Sequence, residues 1–225
     1  MKQVYFTHPD RKGPLLEGIL HLPRGEGPFP GVVVCHPHPE YGGSMDVPLI
    51  ASLAQGLANA GFAALRFNFR GVGASQGSFD QGVGEVEDVE AAAAFLRAQA
   101  SVKNQPLALA GYSFGAWVGL EAACRLPAIT AVAAVALPMW RMPEGWLDGC
   151  ILPKFFIAGD RDTVCPVQQL KEWARTLQGP VDIAILARTD HYLAGREPQV
   201  VSEVVRFLRA CFNGKSAATT AEETP

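Results

Sequence analysis

Residues 107–120, LALAGYSFGAWVGL, set a Gly-x-Ser-x-Gly pentapeptide between two hydrophobic patterns of different period. Leu107 to Ala110 is short and wholly apolar, as a strand buried on both faces of a parallel sheet requires. Phe114, Trp117, Val118 and Leu120 to Ala123 then recur at helical spacing. Ser113 therefore falls on a strand-to-helix corner. A turn that sharp strains the serine backbone and leaves no room for side chains two residues before and after it, which is why Gly111 and Gly115 stand there. The hydroxyl is held above the sheet edge, and the following helix start offers backbone N–H groups and a positive dipole end to a developing oxyanion. In a chain with 23 glycines the pentapeptide alone is a weak signal. Its flanks, and partners downstream in the right order, give it weight.

Working outward, Val4 to Thr7 and Leu15 to Leu22 read as an antiparallel hairpin at the sheet edge. GVVVC, residues 31–35, is a buried-strand signal that runs into His36-Pro37-His38-Pro39-Glu40-Tyr41-Gly42-Gly43. Asp46 to Ala60 places Leu49, Ile50, Leu53, Leu57 and Ala58 on one helical face and stops at Gly61. Phe62 to Phe67 is the next strand. Residues 68–84 form a glycine-rich loop too long for a minimal connection, hence a candidate binding loop. Its Gly71-x-Gly73 fails as a dinucleotide signature, because the third glycine is misplaced and the next helix, Glu85 to Gln99, starts too late. Past the elbow helix, strands at 130–137, 154–158 and 181–186 alternate with helices at 166–177 and 197–212. Such alternation calls for an α/β fold with a mostly parallel sheet, an antiparallel N-terminal edge and helices on both faces. One domain is expected over 1–212, with 213–225 a disordered tail because it lacks apolar periodicity.

A net charge of -3 with 18% charged residues supplies no basic field, so nucleic acid is not an expected partner. The N-terminus has no signal-peptide core, and no run approaches the roughly 18 apolar residues of a membrane span, which predicts a cytoplasmic protein with no membrane partner. Five cysteines are odd in number and show no C-x-x-C spacing, so they read as small apolar fillers rather than a disulfide framework or a zinc ribbon.

A serine hydroxyl needs a base to take its proton, and the base needs a third group to fix its tautomer. Asp162 and His191 each follow a predicted strand downstream of Ser113, at the carboxyl ends where open parallel sheets gather such groups. His191 is the only histidine after the elbow. Asp160 competes for the acid role; three residues past the strand end, Asp162 has the longer reach, whereas Asp160 suits bracing of the turn. His36 and His38 could suggest a metal, but a third ligand at suitable spacing is missing. Pro37 and Pro39 have no N–H, so the backbone N–H of His38 is the leading oxyanion donor beside that of Phe114, with Glu40 or Tyr41 as the fallback. Residues 138–153, with about fifteen positions, are too short for a lid domain, so the site should be open, with Tyr41, Trp140 and Trp146 as walls; the two tryptophans could equally pack on the loop prolines.

Together these residues resemble the α/β-hydrolase superfamily, and more closely its small lidless bacterial members related to dienelactone hydrolases. The shared marks are His36-Pro37-His38-Pro39 with Gly42 to Met45, Arg66 to Gly73 with Ser75, Gly111 to Gly115, Gly159 to Asp162, and His191. Dienelactone hydrolases carry a cysteine nucleophile where this chain has Ser113, so their substrate does not transfer. The resemblance implies hydrolysis of a small-molecule ester through an acyl-enzyme, with Ser113 attacking, His191 relaying the proton, Asp162 orienting His191, and no cofactor or metal.

Overall fold

Apolar runs too short for helices, alternating with amphipathic stretches, settle as buried strands under helices. The computed structural model describes residues 1–10, 12–142 and 145–213, and the expected tail beyond Asn213 lies outside them. The strands are β1 (Lys2–Phe6), β2 (Leu16–His21), β3 (Gly31–Cys35), β4 (Ala63–Phe67), β5 (Leu107–Tyr112), β6 (Ile129–Val135), β7 (Lys154–Gly159) and β8 (Val181–Leu186). The helices are α1 (Pro48–Asn59), α2 (Val83–Ala98), α3 (Phe114–Arg125), α4 (Val167–Ala174) and α5 (Glu197–Phe212). They form one sheet in the order β1-β2-β4-β3-β5-β6-β7-β8. The pairs β1–β2 and β2–β4 are antiparallel and the rest parallel, as the sequence predicts.

Period-two alternation divides the sheet between two cores. Val33, Leu65, Leu107, Leu109 and Phe156 face α2, α3 and α4. Val32, Val34, Ala108, Ala110 and Ile157 face α1 and α5. On α1, Ile50, Leu53 and Leu57 are fully buried, each contributing about 1.5–3 kcal/mol through the apolar area removed from water. Pro48 opens that helix, and Gly61, at φ 98°, turns the chain out of it. After β3 the chain crosses to β4 on one side, and β5 returns on the other. The loops after β3 and β5 therefore part at a topological switch point, which leaves a crevice at the carboxyl ends of the strands.

One sequence expectation needs correction here. Cys124, on α3, and Cys150 are joined in a disulfide across 26 positions, with Cα atoms 5.3 Å apart. No spacing signature marks such a pair, because the contact arises only when residues 138–153 fold back onto α3. Cys35, Cys165 and Cys211 are free, the first two buried as expected of apolar fillers. Residues 68–84, the candidate binding loop, stay clear of the cleft over Ser113, and Arg70, Gln76, Gly77, Ser78 and Asp80 line a separate concavity with Lys12, Gly13 and Pro14. Several of the loop's polar groups are satisfied by carboxylates of β2 and α2. The buried Asp88 carboxylate accepts from the Arg70 N–H and guanidinium, Glu17 accepts from Asn68 and Ala74, and Glu85 accepts from the Asp80 and Gly82 amides. The loop is long because it wraps the sheet edge and fastens α2. Its Phe79 then packs on His38 and Phe114, ring centroids 4.9 and 5.7 Å away.

Candidate active site

The elbow is as strained as its sequence requires. Ser113 has φ 53° and ψ -116°, a positive φ that a side chain tolerates only when the surroundings hold it there. They do. The Ser113 N–H donates to Val135 O at 2.8 Å, and its carbonyl accepts from the Ala116 and Trp117 amides. A Cβ on Gly111 would strike the Gly115 backbone, and one on Gly115 would strike the carbonyls of Cys35 and His36. Both glycines thus permit a close approach of β5, α3 and the loop after β3.

Asp162 follows β7 and His191 follows β8, and their loops interlock. The Arg161 N–H donates to Thr189 O at 2.9 Å, and the Thr189 N–H donates to Asp160 Oδ1 at 3.1 Å. Asp160 is exposed and braces the His191 loop, while Asp162 is buried and faces the imidazole. The amides of Val164 and Cys165 each donate to Asp162 Oδ1 at 2.8 Å. Burial pushes the Asp162 carboxyl up, but hydrogen bonds from His191 and these amides, with the His191 charge, outweigh it and hold the group below the usual carboxylate range. The Tyr112 hydroxyl donates to His191 O at 3.0 Å and fixes the backbone there.

His191 Nδ1 lies 2.9 Å from Asp162 Oδ2, and its Nε2 lies 3.0 Å from Ser113 Oγ. An ionised carboxylate only accepts, so Nδ1 carries the proton and Nε2 is left to accept from the serine hydroxyl. The structure thus brings together the three residues expected from the sequence, which lie 78 and 29 positions apart.

The two histidines after β3 part company. His36 is fully buried: its Nε2 accepts from the Phe69 N–H at 3.1 Å, and its Nδ1 donates to Pro37 O at 2.6 Å. Both nitrogens are committed in the neutral form, and burial lowers the pKa to about 4 against the weaker opposing pull of the Pro37 carbonyl. His36 therefore ties the loop after β3 to the loop after β4. His38 turns to the cleft, and its Nδ1 accepts from the Glu40 N–H at 3.2 Å. Among the described residues, neither the His38 nor the Phe114 backbone N–H has an acceptor, and both residues line the cleft.

That cleft, about 570 Å³, opens over Ser113 and His191. Tyr41 and Trp140 line it and are largely exposed, with Trp117, Val164 and Leu49 deeper in the walls. Trp146 is not a wall: it packs against the core on the α3 face, drawn there by the same return of residues 138–153 that pairs Cys150 with Cys124. Two charged lining residues escaped the sequence reading, Arg141 and Glu197. Neither belongs to a motif. Among the described residues, no three histidine, cysteine, aspartate or glutamate side chains gather as metal ligands, and no helix is long and apolar enough to cross a membrane.

With this geometry the chain is similar to several known proteins. An uncharacterised protein of Rickettsia prowazekii (strain Madrid E) is 33% identical over 217 residues, covering 92% of this chain and 89% of that protein. An α/β serine hydrolase homologue from Coxiella burnetii superposes with a TM-score of 0.81 at 32% identity, over 92% of this chain and 97% of that one. A Xanthomonas campestris protein described as an α/β serine hydrolase without lid gives 0.77 at 29% identity, over 97% and 96%. A family described as X-Pro dipeptidyl-peptidase (S15 family) matches residues 12–203. With an eight-stranded sheet, no lid and a serine at its elbow, the chain belongs to that S15 family of α/β serine hydrolases.

Proposed function

We propose that the protein is a carboxylester hydrolase that cleaves small esters through an acyl-enzyme. The observation that carries this reading is the unbroken hydrogen-bonded path from Ser113 Oγ through His191 to the buried Asp162 carboxylate. Ser113 Oγ attacks the ester carbonyl carbon as its proton passes to His191 Nε2, and Asp162 stabilises the imidazolium. The His38 and Phe114 N–H groups donate to the oxyanion. When the intermediate collapses, the C–O bond to the alcohol breaks and the alcohol takes the proton from Nε2. Water, deprotonated by the same nitrogen, then attacks the acyl carbon; the bond to Ser113 Oγ breaks, Oγ takes the proton back from Nε2, and the carboxylic acid leaves. No cofactor enters this sequence, and the unlidded cleft suits small acyl groups. A fluorophosphonate should label Ser113 stoichiometrically; a folded protein that stays unlabelled would end the reading.

A second reading follows from the S15 family's description and from Glu197. Its carboxylate lines the cleft at the start of α5 with no ion pair among the described residues, which suits a free amino group on a peptide. Rates on a matched ester, thioester and amide series, including a dipeptidyl anilide ending in proline, separate the two. A cytoplasmic location is part of the proposal. Disulfides seldom persist there, so alkylation of freshly lysed cells should trap Cys124 and Cys150 as thiols; a fully oxidised pair would favour an oxidising compartment.

A further inference from the structure

The Arg141 guanidinium packs against two indoles, its central carbon 4.7 Å from the Trp117 ring centroid and 4.4 Å from that of Trp140. Such stacking holds a cation by attraction to the ring faces and leaves its net charge intact. The guanidinium N–H donors radiate within its plane and meet a partner at its edge. Among the described residues no acceptor takes any of them. The side chain lines the same cleft as Ser113. A cation with no ion-pair partner among the described residues, held against two rings in a mostly apolar cleft, is a fork prepared for a planar anion, with the entropy of ordering a long side chain already spent on the stack.

Which part of a substrate meets it follows from the positions of the other groups. The departing alcohol must sit beside His191 Nε2, which protonates it. His191 packs on Tyr112, 5.9 Å between ring centroids, on the α1 and α5 face of the sheet. Glu197 opens α5 on that same face, and its carboxylate repels an anion there. Arg141 stands on the opposite face, against Trp117 of α3. The acyl chain is the substituent left to extend that way.

We propose that Arg141 is a specificity-determining residue that binds a terminal carboxylate on the acyl chain, so that the preferred substrates are monoesters of dicarboxylic acids. This rests on the hydrolase reading above and names the substrate class of the same site. Its influence already reaches the loop after β3. Burial first, and then the Arg141 charge against the opposing pull of Glu40, keep His38 below the ordinary histidine value.

The test measures kcat/KM of the full chain on the mono-4-nitrophenyl ester of adipic acid and on its methyl-capped, neutral counterpart. The wild type should prefer the anionic ester by about 30-fold, the range of one charge-assisted, partly exposed pair. Arg141→Gln should abolish that preference, and Arg141→Lys, which keeps the charge without the planar fork, should retain a few-fold of it. A ratio unchanged in Arg141→Gln, or both rates falling together, makes Arg141 a packing residue and overturns the proposal. If neither ester is cleaved the hydrolase reading fails, and the inference is then decided by calorimetry of adipate binding to Ser113→Ala. A Kd raised about tenfold or more by adding Arg141→Gln upholds the fork; an unchanged Kd removes it.

Discussion

The elbow at Gly111–Gly115 and the segment from residue 138 to residue 153 border the same cleft and are built in opposite ways. The elbow is held by close packing of backbone on backbone: two glycines pressed against neighbouring main chain, a strained Ser113 anchored to β6, and His36 locking the loop behind it. The segment from 138 has one short helical turn at Met139–Arg141 and is secured by distant partners. Its Met139 N–H donates to Val164 O at 3.1 Å, Cys150 is bonded to Cys124, and the buried Lys154 ammonium donates to the carbonyls of Cys150, Leu152 and Gln178. Its Trp140 remains 67% exposed. The proposed nucleophile thus sits where close backbone packing fixes the chain, and the exposed wall of the cleft sits on a segment tied down at a few points.

That contrast can be broken at either end. Ser113→Ala should lower kcat on a small ester by about 10⁵-fold, and Asp162→Asn, which leaves the imidazole in the wrong tautomer, by about 10³- to 10⁴-fold. Losses of less than tenfold in a stopped assay with purified protein would detach the chemistry from the elbow. On the other side, Cys124→Ser with Cys150→Ser should cost about 3.5 kcal/mol in urea unfolding, the loop-closure value for their separation of 26 positions. The same pair of changes should lower kcat less than tenfold, and a fall comparable to Asp162→Asn would show that the segment governs the reacting groups after all.

A titration of stability sharpens the picture behind the elbow. Burial lowers the His36 pKa from its ordinary 6.5 to about 4, so between those values the unfolded chain binds a proton that the folded chain refuses. Stability is therefore complete above about pH 6.5 and falls as the pH drops toward 4, by about 3 kcal/mol at most from this residue. His21, held near 4 by burial and then by the Arg66 charge, acts with the same sign. Urea midpoints of the wild type and His36→Asn at pH 7.5 and 5 measure the effect, and equal slopes against pH in both proteins would contradict it. The smallest change should come from Trp140→Ala, a rise in KM of a few-fold on a small neutral ester, since only one exposed wall is removed.

How much of this was legible beforehand depends on how local the cause is. The strand-then-helix patterns around Ser113, the placement of Asp162 and His191 after strands, and the paired prolines around His38 are all written within a few residues, and the structure brings these side chains to one rim. What fastens the 68–84 loop was not legible, because its acidic partners, Glu17, Glu85 and Asp88, belong to other elements. Trp146 and the Cys124–Cys150 pair were misjudged for the same reason. Both depend on where residues 138–153 come to rest.

The amino-acid order by itself determined the sheet, its two helical layers, and the corner on which Ser113 stands, because hydrophobic period and glycine placement act over a few residues at a time. Tertiary structure alone decided that His36 turns inward and His38 outward, that Cys124 meets Cys150, and that Arg141 packs against both Trp117 and Trp140. Those outcomes depend on which carbonyls, amides and rings arrive from elsewhere in the chain. A side chain pairs with what reaches it in space, and no short window of sequence contains both partners.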